Sequence, residues 1–361
     1  MSELTERVRI YYLSLILLSA EQRRRVKIIA LSGKFDEDFY RSNHRLNWLA
    51  RLFPIRHYVV RGEKRGLSPN RGFDPRVYAW KYQREIGRES ALCHHLEHGR
   101  KQGFDCSLPK CELLPPKIEK FPPSSKRAVV LHLYYHDLWD EFESSLRELE
   151  GDYELICTIV AEQNDDFNET AKKILQFKRN ARCFEFPNHG RDIFPFVHLI
   201  NQGILDDYEL IAKVHSKKSP HRKDGEVWRR DLVAGVLPKQ AEQTWVTFLE
   251  SETASCAVAP GQIEKDSQLG WPNRNRTSEL ARRIGLAIED LPLEYPAGSM
   301  YLVKPEIISS LKELSLEMDD FEVECGQIDG TTAHAVERLV GYLCHGRLVT
   351  TDLLNSPITK K

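Results

Sequence analysis

The sequence predicts two domains: a small, mainly helical one over residues 1–110 and an α/β one over residues 126–361, joined by a Pro-rich linker at 111–125. Three observations predict this. Apolar runs of strand length alternate with amphipathic segments beyond residue 126. A repeat of about 37 residues occupies the N-terminal third. Between them, CELLPPKIEKFPPSS carries two Pro-Pro steps that resist both helix and strand. A chain of 361 residues has room for two or three cores.

Taken in order, the first apolar stretch is Ile10 to Ala20. Serines interrupt it and it falls short of the ~20 residues a membrane span needs. Arginines on both sides leave two readings, a buried helix or an interfacial anchor on anionic lipid. The repeat follows: FDEDFY at 35–40 matches FDPRVY at 73–78, and HYVVRGEKRG at 57–66 matches HHLEHGRKQG at 94–103. It predicts two helical units, about 35–72 and 73–109, with His57 and His94 packed inside and Gly62, Gly66, Gly99 and Gly103 ending turns.

Beyond the linker, strands are expected at Ala128–Tyr135, Tyr153–Val160, Cys183–Phe186 and Glu209–Val214. Helices are expected between them at Leu138–Leu149, Glu169–Phe177 and Ile193–Asn201. This alternation implies a mostly parallel sheet with helices on both faces, which binds ligands at the carboxyl ends of its strands. The loops there read YYHD (134–137), PNHGRD (187–192) and HSKKSPHR (215–222). Between Lys213 and Arg230 seven Lys and Arg stand against two acids, a composition suited to a diphosphate. Asp192 is placed either to cap the following helix or to join the site, with Arg191 pointing into the cleft.

Elsewhere the composition is uninformative about partners. Lys and Arg total 52 against 53 Asp and Glu, so the net charge of −1 gives no global reason to expect nucleic acid, and any electrostatic recognition is local. The eight cysteines form no CxxC pair, which favours a reducing cytoplasm; Cys106 and Cys111 lack the two further ligands of a zinc site. LSAEQ makes a poor signal-peptide cleavage site.

Five segments, LHLYYHDLWDEF, NHGRDIFPF, YELIAKVHSKKSPH with Trp228-Arg229, PAGSMYLVKPEII and FEVECGQIDGTTAHAVERL, occur in this order over 126–345, about two-thirds of the chain. In sequence and order they resemble the motifs of the rhamnan synthesis F family. The N-terminal Phe-Asp, His-Tyr and Gly-x-x-x-Gly signals are similar to short repeats that accompany bacterial surface-polysaccharide glycosyltransferases. The resemblance implies a GT-A-like glycosyltransferase of cell-wall, O-antigen or lipopolysaccharide assembly. It would move rhamnose from a deoxythymidine-diphosphate donor to a glycan or lipid-linked oligosaccharide. That implies a place in the cytoplasm or at the inner face of the membrane, with peripheral association with lipid or other synthesis proteins left open. A non-catalytic glycan-binding or assembly subunit is the competing reading.

The chain departs from the GT-A pattern in one respect: ELIAKVHSKKS ends its strand on His and Lys where Asp-x-Asp usually holds a metal. Protein cations replacing the metal, or magnesium or manganese held through Asp192, are the alternatives. The donor site is expected from His132, Tyr134, Tyr135, Gly190, Arg191, Asp192, Lys213, His215, Lys217, Lys218 and Arg222. Gly298, Ser299, Trp228 and His334 are expected at the acceptor, where small residues admit a sugar ring or merely form a bulge. A helix from Thr331 to about Leu343 follows the acids Glu322, Glu324 and Asp329. Asp329 and Glu324 are the candidates for the base of an inverting transfer, with N-capping as the alternative for Asp329. His334, Glu337 and Arg338 share a helical face and are expected to pair.

Overall fold

The computed structural model describes residues 18–354 apart from 45, 71, 88, 107–112, 161–165, 219–223, 267–272, 289, 325–326 and 328. Most of the 10–20 apolar stretch, Cys111 and Arg222 therefore lie outside the described residues. The chain divides into two compact units, Met1–Lys110 with Cys325–Gln327, and Cys111–Glu324 with Ile328–Lys361.

The first unit is helical, and its repeat has a physical basis. Asp36 and Asp74 open their helices by accepting backbone N–H groups of Phe39 and Val77. Each copy then sends a tyrosine hydroxyl to a histidine: Tyr40 to His57 Nδ1 at 3.0 Å, and Tyr78 to His94 Nδ1 at 3.1 Å. A Cβ on Gly62 would lie 2.1 Å from the Tyr40 oxygen, and one on Gly99 2.0 Å from that of Tyr78. These two glycines thus make room for the Tyr–His pair inside widened helical turns, Tyr58–Gly62 and His95–Gly99, and do not end turns as expected. Of these four glycines, Gly66 and Gly103 adopt the left-handed conformation of a helix end. Glu63 ties the copies together by accepting from Ser90 Oγ, Leu92 N–H and the Tyr58 hydroxyl.

The second unit is α/β. Its main sheet has the order β3-β2-β1-β4-β8-β5-β9 among the described residues, with β1 Arg127–Leu133, β2 Glu154–Val160, β3 Arg182–Phe186, β4 Leu210–His215, β5 Cys256–Val258, β8 Tyr301–Val303 and β9 Leu348–Thr350. β6 (Ile263–Asp266) and β7 (Leu293–Pro296) form a separate antiparallel ribbon. β1 to β4 are parallel; β8 runs antiparallel between β4 and β5, which the alternating pattern did not foretell.

Side-chain alternation divides the core between the two faces of the sheet. Val129, Leu131 and Leu133 pack with Trp139, Phe142 and Trp245, while Ala128 and Val130 pack with Phe194 and Val197. Full burial of each large apolar side chain contributes about 1.5–3 kcal/mol. The parallel register brings the ends of β1 and β4 level, since His132 pairs with His215. The loops after β1 and β4 therefore open on one edge, together with the segment that follows β3.

Candidate functional site

Strand periodicity sets the first layer. Lys213 and His215 alternate onto one face of β4 and His132 lies beside His215 on β1. The Ser216 hydroxyl accepts the backbone N–H groups of both Tyr134 and Tyr135, at 2.8 and 2.9 Å, pinning the β1 loop to the β4 loop. His132 is anchored through Nδ1 to Thr158 Oγ1 of β2 at 2.9 Å.

Lys213 is buried, and its three N–H donors are all engaged within the protein. Asp192 Oδ2 takes one, while Ser299 takes the others through its carbonyl at 2.8 Å and its hydroxyl at 3.0 Å. Both partners are delivered by unusual backbone. Gly190-Arg191 and Gly298-Ser299 are consecutive pairs in the left-handed region, with φ of 61° and 58°, and 75° and 57°. The non-glycine member of each pair costs of order 1–2 kcal/mol, and strain of this kind concentrates at functional sites. Lys213, expected among the donor-binding residues, is therefore a strut that fixes Asp192 and Ser299.

Gly298, expected at the acceptor or as a bulge, belongs to one of these left-handed pairs. Its carbonyl accepts from His215 Nε2 at 2.8 Å, and an added Cβ would lie 2.8 Å from Leu232 and 3.2 Å from Trp228. Its smallness serves packing against Trp228. Asp192, for its part, makes no side-chain cap on the Ile193–Asn201 helix.

These contacts set the protonation states. Burial pushes His132 down to about 3 and His215 down to about 4, with Asp192 pulling both the other way. Burial works to raise Asp192, but His215 and Lys213 outweigh it and hold the carboxyl well below the usual carboxylate range. Asp192 also acts on Lys217, Glu324, His334 and Glu337, so it lies at the centre of the cluster.

A second layer surrounds this strut. The Lys217 ammonium lies 4.6 Å from the Trp228 ring centre, and burial lowers its pKa while Glu337 raises it. Trp228 is held by Gln262 Oε1 at 2.8 Å, and Arg229 grips Glu141 through two bonds and donates to the Lys217 carbonyl at 3.0 Å. Lys218 is paired with Asp137 at 2.6 Å, 4.6 Å from the ring centre of Tyr135.

The Thr332–Leu343 helix completes the site. Glu322 accepts its first N–H, that of Thr332, at 2.7 Å, and His334 Nδ1 lies 2.7 Å from the Thr331 hydroxyl, so His334 closes the helix start. Burial pushes His334 down to about 4, and Arg191 adds to the effect. Asp329 is not the cap. Its carboxylate accepts from Asn273 and from its own Gly330 N–H, and it meets Arg338 at 3.4 Å and His334 at 4.0 Å.

Glu324 sits 3.7 Å from Arg191 and burial raises its pKa. Glu337 shows the same upward shift from burial, opposed by Lys217 and Arg338; Arg338 lies 3.7 Å away. Sequence reading assigned Glu337 only to pairing along its helix. Its spacing of three from His334 was the available signal that it faces the site.

The cluster does not suit a divalent metal. Among the described residues Asp192 is the one carboxylate paired with Lys213, whose ammonium already neutralises it. Among the described residues, the one His/Cys/Asp/Glu group spaced for a metal is Glu89, Glu97 and His98 in the other unit, and Arg24 holds Glu97 through two bonds.

The family described as rhamnan synthesis protein F matches residues 94–348. Two relatives from strains of Xanthomonas campestris pv. campestris, both described as uncharacterized protein WxcX, are 32% identical over 240 residues, which is 66% of this chain and 34% of theirs. The chain thus spans about a third of the length of the curated relatives it matches. Among solved structures, the galactosyltransferase LgtC in complex with donor and acceptor sugar analogs aligns with a TM-score of 0.31 and 8% identity, over 62% of this chain and 72% of that one.

Proposed function

Because this chain belongs to the rhamnan synthesis protein F family, we propose that its α/β unit is a glycosyltransferase of cell-surface polysaccharide synthesis. It transfers a sugar, rhamnose by family resemblance, from a nucleoside diphosphate to a glycan or lipid-linked acceptor in the cytoplasm. What carries this reading is the strained, buried Asp192–Lys213–Ser299 strut at the ends of β1 and β4, ringed by His215, Lys217, Arg191 and Glu324. Perturbed titratable groups held by strained backbone at the carboxyl edge of such a sheet are typical of a reaction centre.

In the proposed reaction the acceptor hydroxyl oxygen attacks the anomeric carbon as the bond from that carbon to the β-phosphate oxygen breaks. The nucleoside diphosphate leaves with the electron pair, and Lys217 and Arg191 meet its growing charge. A carboxylate takes the hydroxyl proton. Glu324 suits this role better than Asp329: burial raises its proton affinity against the opposing pull of Arg191, whereas the Asp329 oxygens are occupied by Asn273, Gly330 N–H and Arg338. Inversion at the anomeric carbon follows from a single displacement.

The test is a panel of nucleotide sugars incubated with the purified chain and an oligosaccharide acceptor, reading nucleoside diphosphate release and acceptor extension. One donor turned over in an acceptor-dependent way is the expected result. Binding of a nucleotide sugar without turnover would move the reading to a non-catalytic glycan-binding subunit. Absence of binding by every donor would overturn it.

A further inference from the structure

The near-zero net charge conceals a separation of charge along the chain. Residues 1–110 carry 22 Lys and Arg against 12 Asp and Glu, a net of +10, while residues 111–361 carry 30 against 41, a net of −11. The N-terminal unit is thus strongly cationic, and its surface is unusual in a second way. The Trp48–Leu52 helix buries only Ala50 and leaves Trp48 76%, Leu52 48% and Leu49 39% exposed. Trp80, 54% exposed, and Leu31, 77% exposed, belong to the same unit. An isolated exposed leucine needs no explanation, but a tryptophan and two leucines on five consecutive residues form a patch that calls for an occupant.

Cations frame the patch. Arg51 lies within the helix and Arg56 four residues beyond Leu52, and neither has an ion-pair partner among the described residues. The helix is held firmly enough to present these side chains: Asn47 caps it by accepting from Ala50 N–H at 2.9 Å, and Arg41 donates to the Arg51 carbonyl at 2.9 Å. Tryptophan and leucine flanked by arginine is the composition of a surface that rests at the headgroup level of an anionic bilayer. There the indole occupies the interface, the leucines reach the acyl boundary, and the guanidinium groups meet lipid phosphates. A nucleic acid would use the charge but leave Leu49 and Leu52 in water. A second copy docked through the same face would bring two cationic units together and meet repulsion.

We propose that the N-terminal unit docks on an anionic membrane surface through Trp48, Leu49 and Leu52, with Arg51 and Arg56 as its electrostatic contacts. This holds independently of the transferase reading, because vesicle binding is measured without turnover. The full chain should co-sediment with vesicles of phosphatidylglycerol and phosphatidylcholine, and not with phosphatidylcholine alone. Binding should fall steeply in high salt. Combined Trp48→Ala and Leu52→Ala substitution should lower the partition constant roughly tenfold or more, and Arg51→Glu with Arg56→Glu should lower it roughly fivefold or more per residue. Trp48, Leu52 and Arg51 are exposed and Arg56 is half-buried, so thermal midpoints should stay close to that of the parent. Failure to bind the anionic vesicles, or a Trp48→Ala, Leu52→Ala chain that binds like the parent, would overturn the proposal. So would concentration-dependent self-association in solution that this double variant abolishes, since the patch would then belong to a second copy.

Discussion

Lys213 and Lys217 lie four residues apart and have opposite environments. Lys213 is enclosed, with every N–H satisfied; Lys217 has an aromatic face beneath it and Glu337 nearby. Their substitutions should separate accordingly. Lys213→Met leaves Asp192 buried without its partner and should cost about 3–5 kcal/mol of stability, read by denaturant unfolding. Lys217→Ala should cost less stability than Lys213→Met and weaken nucleoside-diphosphate binding in calorimetry; equal affinity would remove Lys217 from the donor site. For the carboxylates, Glu324→Gln should reduce transfer by roughly 100-fold to 10,000-fold with donor affinity retained. Asp329→Asn should act mainly through stability, because the carboxylate is tied to Arg338 and Asn273. A larger kinetic loss in Asp329→Asn than in Glu324→Gln would reverse the assignment.

At the scale of elements, the two N-terminal repeats are one construction used twice: an aspartate cap, a tyrosine facing a histidine, and a glycine under the tyrosine oxygen. Gly99→Ala forces a Cβ against the Tyr78 hydroxyl and should destabilise by about 1–3 kcal/mol. Tyr78→Phe alone loses a buried hydrogen bond to His94, about 1 kcal/mol. Combining them removes the clashing oxygen, so the double variant should be more stable than the sum of the single losses predicts, and thermal unfolding of all four chains measures this coupling. Simple additivity would show that the glycine serves the backbone and not the tyrosine. In the α/β unit the corresponding devices are the two left-handed pairs that aim Asp192 and Ser299 at Lys213.

For the whole molecule, the buried histidines set the response to acid. His132, His215 and His334 have folded-state pKa values of about 3, 4 and 4, below the ordinary value near 6.5. A group depressed on folding binds more protons when unfolded, so its stabilising contribution is complete above about 6.5 and is lost as pH falls through the folded values. The thermal midpoint should be flat above neutrality and decline from pH 6.5 towards 4, and His215→Gln should shallow that decline. In the proposed reaction Lys213 neutralises Asp192 where a divalent cation is usual, so sugar transfer should persist in a strong chelator. Loss on chelation with rescue by magnesium or manganese would return Asp192 to the role of ligand. Among the described residues no helix is long and apolar enough to cross a membrane.

Local periodicity determined the elements: the strands at 127–133, 154–160 and 210–215 and the helix at 193–201 were legible because burial on a sheet face or helix stripe imprints its period on the chain. The order of the repeat was equally legible, and so was the edge on which His132, Arg191, Asp192, His215 and Lys217 gather, since parallel strands place their carboxyl ends together. Tertiary structure alone decided what each residue touches there. That Lys213 is a strut, that Asp329 is tied by Asn273 fifty-six residues earlier in the chain, that Glu337 faces Lys217, and that β8 enters antiparallel beside β4 to bring Ser299 to Lys213 all depend on contacts between distant segments. A charged side chain is the same letter in a sequence whether it is solvated or enclosed. Only the fold supplies the burial and the partner that turn it into a strut, a cap or a base.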